Sequence, residues 1–236
     1  MTNPLSNLNY SKLAPSDNGF KICHNQPRFL DKDFSGCSVK IVEQNNEETV
    51  FLTSDLSDGE CAIVGSECRP DGIDEGWKRT DIMYLFVSSK TNEARSYAYD
   101  MKLHVGKSEN DIYRLIKQCS DTSRLCDSIY ERACQKTPDY KEAPVQMSVG
   151  VVTETYDEER LDWWISKRSE LPVSPTPSNF FEQKIQAQAQ ENSKYLKILQ
   201  DFKNKKARIN GTELPFDIRF FENKNATLNF IHGILQ

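Results

Sequence analysis

The chain of 236 residues carries 30 Lys and Arg against 35 Asp and Glu, for a net charge of −5, and is 37% hydrophobic and 28% charged. That composition supports a buried core in one large domain, or a domain with an appended module, and no run of about 18 apolar residues exists to span a bilayer. The start, MTNPLSNLNYSKLAPSDNG, has neither a charged n-region nor an apolar h-region, so a cytoplasmic protein is expected. Seven cysteines, an odd number with no CxxC pair, argue against a disulfide framework or zinc ribbon and predict free thiols.

Met1 to Phe20 is polar, rich in Asn and Ser, and reads as poorly ordered at its beginning. Cys37 to Asn45 and Glu48 to Asp55 alternate around a Gln44-Asn45-Asn46-Glu47 turn and predict a hairpin, with a further short strand at Cys61 to Val64. Gly65 to Trp77 is a loop by its Gly, Pro and Asp content and leads into Asp81. Ile82 to Val87 and Ala94 to Leu103 then read as two buried strands joined by the turn Ser88 to Glu93. With the turn centred between Thr91 and Asn92, Asp81 lies opposite Lys102. Opposed residues share a face, as do residues two apart, so Asp81, Asp100 and Lys102 converge at the open end of this hairpin. Two carboxylates that close demand a cation, and one lysine meets only part of that demand; a divalent ion with hard oxygen ligands would meet the rest.

Ser108 caps an amphipathic helix with Ile112, Leu115, Ile116, Cys119, Cys126, Ile129 and Ala133 on its apolar stripe, which makes Cys119 and Cys126, and Cys134 beyond them, core residues. Val145 to Glu154 is a β-branched run that predicts a central strand. Asp157 to Glu170 reads as a helix with Trp163, Trp164 and Ile165 on its apolar side, buried against the sheet or stacking on bases.

Three prolines in Leu171 to Ser178 mark a linker, dividing residues 1–170, a β-rich front and α/β core, from a C-terminal module of residues 179–236. That module is expected to be mainly helical: a helix of about 25 residues capped by Ser178, a strand from Phe216 to Phe221 and a short helix from Asn225 to Leu235. Lys203, Lys205, Lys206 and Arg208 gather at the C-terminus of its long helix. From Ser166 onward 11 Lys and Arg face 7 Asp and Glu, against 19 and 28 before it, so a basic tail stands beside an acidic body. Such asymmetry marks either a surface that meets nucleic acid, with those four cations as contacts, or helices solvated by lysine.

His24, His104 and His232 are scattered without HExxH spacing, although His104 lies close enough to Lys102 to approach the same pocket. The absence of GxxxxGK[ST], GxGxxG and GxSxG runs removes nucleotide-driven motors, dinucleotide enzymes and the usual serine hydrolases.

The arrangement KRTDIMYLFV, a turn, SYAYDMKL, a helix and a strand resembles the PD-(D/E)xK phosphodiesterase superfamily over about Gly65 to Glu154. Asp81 matches the aspartate that begins the second core strand, and Asp100-Met101-Lys102 matches the tripeptide that ends the third. The resemblance implies a restriction-endonuclease-like core, a mixed sheet flanked by helices. It also implies Mg²⁺ or Mn²⁺ held by Asp81, Asp100 and the Met101 carbonyl, with Lys102 acting on the attacking water. A nuclease of DNA more than RNA, as a possible homodimer or with a protein partner, and a place in bacterial or phage defence follow from the same resemblance. The family's helix with an additional glutamate has no clear counterpart; Glu60, Glu67 and Asp71 are the available carboxylates. The alternative is a cross-strand ion pair between Asp81 and Lys102 in a non-catalytic α/β interaction protein, an inactive nuclease fold included.

Overall fold

Strands make up the larger share of the regular structure described in this molecule, and three helices make up most of the rest. The computed structural model describes residues 3–7, 12–13, 19–21, 28–30, 37–45, 48–56, 61–65, 78–170 and 180–236. After a 3-10 turn at Pro4–Asn7 come strands β1 (Lys12–Leu13), β2 (Gly19–Lys21), β3 (Arg28–Leu30), β4 (Cys37–Asn45), β5 (Glu48–Leu56) and β6 (Cys61–Gly65). The hairpin β7 (Ile82–Ser88) and β8 (Glu93–Val105) follows, then α1 (Glu109–Gln135), β9 (Val145–Tyr156) and α2 (Glu158–Ser169). The chain finishes with α3 (Phe180–Lys203), β10 (Lys206–Ile209), β11 (Thr212–Phe220), β12 (Asn225–Ile231) and β13 (Ile234–Leu235).

These strands form two mixed sheets, one in the order β1-β3-β6-β7-β8-β9-β11-β10 and one in the order β13-β12-β5-β4-β2. The α/β class expected from the sequence is therefore observed. In the larger sheet β6, β7 and β8 run antiparallel, whereas β8, β9 and β11 are parallel neighbours. Ile82, Tyr84 and Phe86 of β7 and Tyr97, Tyr99 and Met101 of β8 face the smaller sheet, where Leu52, Leu228 and Phe230 meet them. Met83, Leu85, Val87 and Ala94 face α1 instead, as does Ala98, while α2 and α3 cover β9 and β11 through Leu161, Leu199 and Phe202. Helices thus lie on one face of the central sheet and a second sheet on the other, so β7 is buried on both sides, as its unbroken apolar run requires, and β8 beside it is buried over most of its length.

Ser108 caps α1 by accepting the Asp111 N–H at 3.3 Å, and Cys119, Cys126 and Cys134 are buried residues of that helix outside any disulfide. On β9, Gly150 lies opposite Tyr99; a Cβ there would fall 2.5 Å from the tyrosine ring and 2.6 Å from the Asp217 carbonyl oxygen, so only glycine admits the ring.

Several expectations need correction. The β7–β8 register differs by two residues: Ser88 pairs with Glu93 and Ile82 with Tyr99, so the next position outward sets Asp81 beside Asp100, not Lys102. The turn is the cause, because Asn92 adopts φ 53° and the Ser88 hydroxyl accepts the Thr91 N–H at 3.2 Å, centring the loop one residue earlier. A two-residue shift leaves every side chain on its expected face. The helix expected over Asn225 to Leu235 is instead β12 and β13; Leu228 and Phe230 are buried while Thr227 and Asn229 are exposed, a period of two that the second sheet selects. Residues 180–236 supply one helix and strands to both sheets, with β11 beside β9 and β12 beside β5. Trp163 is 49% exposed, and Leu161 takes the buried position of α2. The Pro-rich stretch 171–178, the loop over 66–77 and most of residues 1–20 lie outside the described residues. Among the described residues no helix is long and apolar enough to cross a membrane.

Candidate functional site

A short extended approach leads into β7 and fixes the site's first carboxylate. Residues 78–81 are fastened to α1: the Lys78 N–H donates to Asp121 Oδ2 at 2.9 Å, and the Thr80 N–H donates to Thr122 Oγ1 at 2.9 Å. Thr80 Oγ1 also donates to the Ile82 carbonyl at 2.7 Å. Asp81 therefore enters the hairpin mouth at a set height, on the helix-covered face that it shares with Asp100 and Lys102.

The two aspartates interlock through the backbone. The Asp81 N–H donates to Asp100 Oδ1 at 3.1 Å, and the Met101 N–H donates to Asp81 Oδ2 at 2.7 Å. Lys102 places its ammonium against Asp100 Oδ2. From α1, Gln118 Nε2 donates to the Arg79 carbonyl at 2.8 Å and reaches Asp100 Oδ1 at 3.4 Å. Asp100 is 0% exposed and Asp81 9%, whereas the Lys102 side chain is 34% exposed, so the cluster meets solvent chiefly through its lysine.

Two buried carboxyls here face a single ammonium. Burial, then the neighbouring charge of Asp100 and a carboxyl–carboxyl hydrogen bond with it, hold the Asp81 carboxyl well above its ordinary range; Lys102 and the Met101 N–H act in the opposite direction without cancelling this. The arrangement can share a proton between carboxylates or accept a cation in its place.

The structure thus brings Asp81, Asp100, Met101 and Lys102 together and leaves other candidates elsewhere. His104 shares a 2.8 Å hydrogen bond with Thr155 on β9. Lys203 ends α3 paired with Asp162, and Lys205 follows it at φ 54°. Lys206 and Arg208 stand on β10 and not on the helix, both facing Glu213, at 2.8 and 3.8 Å. Glu60, Glu67 and Asp71 lie outside the described residues, among which no three or more His, Cys, Asp or Glu side chains group as a metal site. Gln118 and the buried Asp121 and Thr122 were not anticipated; the signal was a run of polar residues on α1 where its apolar stripe, one turn past Cys119, was due to continue.

Comparison of the chain with protein-family models, curated proteins and solved structures returns no match.

Proposed function

We propose that the chain is a metal-dependent nuclease that hydrolyses phosphodiester bonds of nucleic acid, with Asp81, Asp100 and Lys102 as its reacting cluster. The observation that carries this reading is the close burial of two carboxyls, one of them raised in pKa, beside a single ammonium. The donor set fits a hard divalent ion. Asp81 and Asp100 would hold Mg²⁺ or Mn²⁺, with the Met101 carbonyl beside them, because a strand residue directs its C=O to the same side as the N–H that here reaches Asp81. When bound, such an ion supplies Lewis-acid stabilisation of the phosphoryl oxygens and acidifies a water ligand. Lys102 orients the attacking water and places positive charge beside the phosphorus as negative charge develops there. Gln118 is a positioning residue that steadies Asp100 from α1.

The chain order adds support. An antiparallel run of β6, β7 and β8 precedes α1 and the parallel β9, with Asp81 at the start of the second of these strands and Asp100 to Lys102 in the last part of the third. That order agrees with the PD-(D/E)xK resemblance. A second reading has its own observation: Asp100 is fully buried and already engaged by Lys102, Gln118 and the Asp81 N–H, which also suits an inactive nuclease fold acting through a protein partner.

The deciding experiment incubates purified protein with plasmid and single-stranded substrates in Mg²⁺ or Mn²⁺. Cleavage is expected that chelator stops, that Asp100→Asn reduces by more than about 10³-fold and that Lys102→Ala reduces by about 10²-fold or more. Undiminished metal-dependent cleavage by the Asp100→Asn protein overturns the assignment. No cleavage, together with no metal-induced rise in Tm, selects the interaction reading.

A further inference from the structure

A second cleft shares no residue with the carboxylate cluster. It measures about 430 Å³ and lies between α1, α3 and the hairpin of β10 and β11. From α1 it takes Ile116, Ser120 and Arg124, a row spaced four apart on the flank of the helix turned away from Gln118. From α3 it takes Lys194, Lys197, Ile198 and Asp201, again one helical face. Arg208 of β10 closes the wall.

Two properties of the lining define what it accepts. Four cations, Arg124, Lys194, Lys197 and Arg208, stand against Asp201 in the lining and against Glu213, which pairs with Arg208 at 3.8 Å from outside it, so the walls keep a positive excess that attracts an anion of more than one charge. Beneath them Ile116, Ile198 and Ala207 form an apolar floor, a surface for a flat, poorly hydrated body. The rim is also held in place. Asn210 and Gly211, at φ 49° and 87°, form the tight two-residue turn of the hairpin. The Asn210 side-chain oxygen accepts from Ser120 Oγ and from Arg124 Nε, each at 2.8 Å. One edge of the Arg124 guanidinium is thereby fixed and the other edge remains to grip an oxyanion in bidentate fashion.

From this geometry we infer that the cleft binds a nucleotide unit, its phosphate on Arg124, Lys194, Lys197 and Arg208 and its base on the Ile116, Ile198 and Ala207 floor. A sugar phosphate offers nothing to the floor, and a fatty carboxylate offers one charge to walls whose positive excess is larger. The same chemistry comes from a free nucleotide or from the phosphorylated end of a strand. The site is independent of the nuclease reading.

The test is run on the full chain in chelator, which silences any metal-dependent cleavage. Tm and isothermal titration are recorded with AMP, adenosine, orthophosphate and a 5′-phosphorylated single-stranded oligonucleotide, on wild type and on Lys194→Glu/Lys197→Glu. At about 100-fold excess over Kd, AMP is expected to raise Tm by about 5–10 °C, with adenosine and orthophosphate each at least about tenfold weaker. The double variant changes only exposed side chains, should fold as wild type by circular dichroism, and should lose the AMP effect. Binding of the oligonucleotide in place of AMP, equally abolished by the double variant, assigns the strand end as the source. If neither phosphate ligand binds, if adenosine binds as well as AMP, or if the double variant binds undiminished, the inference fails. A negative result in chelator leaves the metal-dependent cleavage assay unaffected, so the two proposals fall separately.

Discussion

Two charged clusters flank α1, and they are built on opposite plans. At its N-terminal end Glu109 receives Arg168 of α2 through two bonds of 2.6 and 2.7 Å, while Arg168 Nη1 donates to Asn192 of α3 at 2.6 Å. The guanidinium also lies 5.1 Å from the centroid of the Tyr195 ring and 5.9 Å from that of Tyr113. Hydrogen bonding from Arg168 is the chief cause that holds the Glu109 carboxyl below its ordinary range, ahead of the opposing effect of burial. In the Asp81–Asp100–Lys102 cluster, burial and like charge push a carboxyl the other way. One cluster joins three helices and satisfies its charges; the other sets two carboxyls side by side in the interior with one lysine between them and solvent. Stability alone selects the first plan, and it is on the second that the proposed metal site rests.

Substitutions that attack each cluster should give opposite results. The largest effect is expected from Arg168→Ala, which strands Glu109 and uncouples three helices: a loss of about 2 kcal/mol in urea-unfolding stability, moderated by the 20% and 21% exposure of the two side chains. A loss within error would show that the network contributes nothing to cohesion. Asp81→Asn keeps an acceptor for the Met101 N–H but removes a buried charge, and should stabilise the metal-free protein at pH 7 by about 1 kcal/mol. A destabilised Asn variant would show that the carboxylate pair is already neutralised.

The pH signatures also differ in sign. Asp81 has a raised folded-state pKa, so its destabilising contribution is absent below its unfolded value of about 3.9 and develops as pH rises through the folded value. The advantage of Asp81→Asn should therefore vanish below about pH 4. Glu109 is depressed, so its stabilising contribution is complete above about pH 4.3 and is lost as pH falls through the folded value. Unfolding midpoints of Asp81→Asn and Glu109→Gln from pH 3 to 7 should then diverge from wild type in opposite directions toward pH 7, and parallel profiles would refute the contrast. Arg168→Lys, which keeps charge but loses the planar fork, should cost about 0.5 kcal/mol, the smallest of these effects.

The hairpins, α1 and β9 were readable because each repeats one periodicity over many residues. The face shared by Asp81, Asp100 and Lys102 was legible too, since the error in placing the turn amounted to two residues and parity survived it. What escaped was set by partners that the segment's own periodicity does not reveal. Asn225 to Ile231 carries its alternation openly in Leu228 and Phe230, but only the waiting edge of β5 makes it a strand. Lys206 to Ile209 is too short to announce itself and pairs because the Asn210-Gly211 turn folds it back on β11. Gln118 is a single polar residue whose meaning depends on the carboxylate that the crossover brings beneath it.

The placement of β12 has a consequence for how the molecule is made. Its partner β5 lies roughly 170 residues earlier, and the Tyr97 hydroxyl donates to the Gly233 carbonyl beyond it at 2.9 Å. During translation, Tyr84, Phe86 and Tyr97 must wait for Leu228 and Phe230 to emerge before their inner layer is dry. Closure across so long a loop is slow, and the aromatic layer stays uncovered on that side until β12 docks.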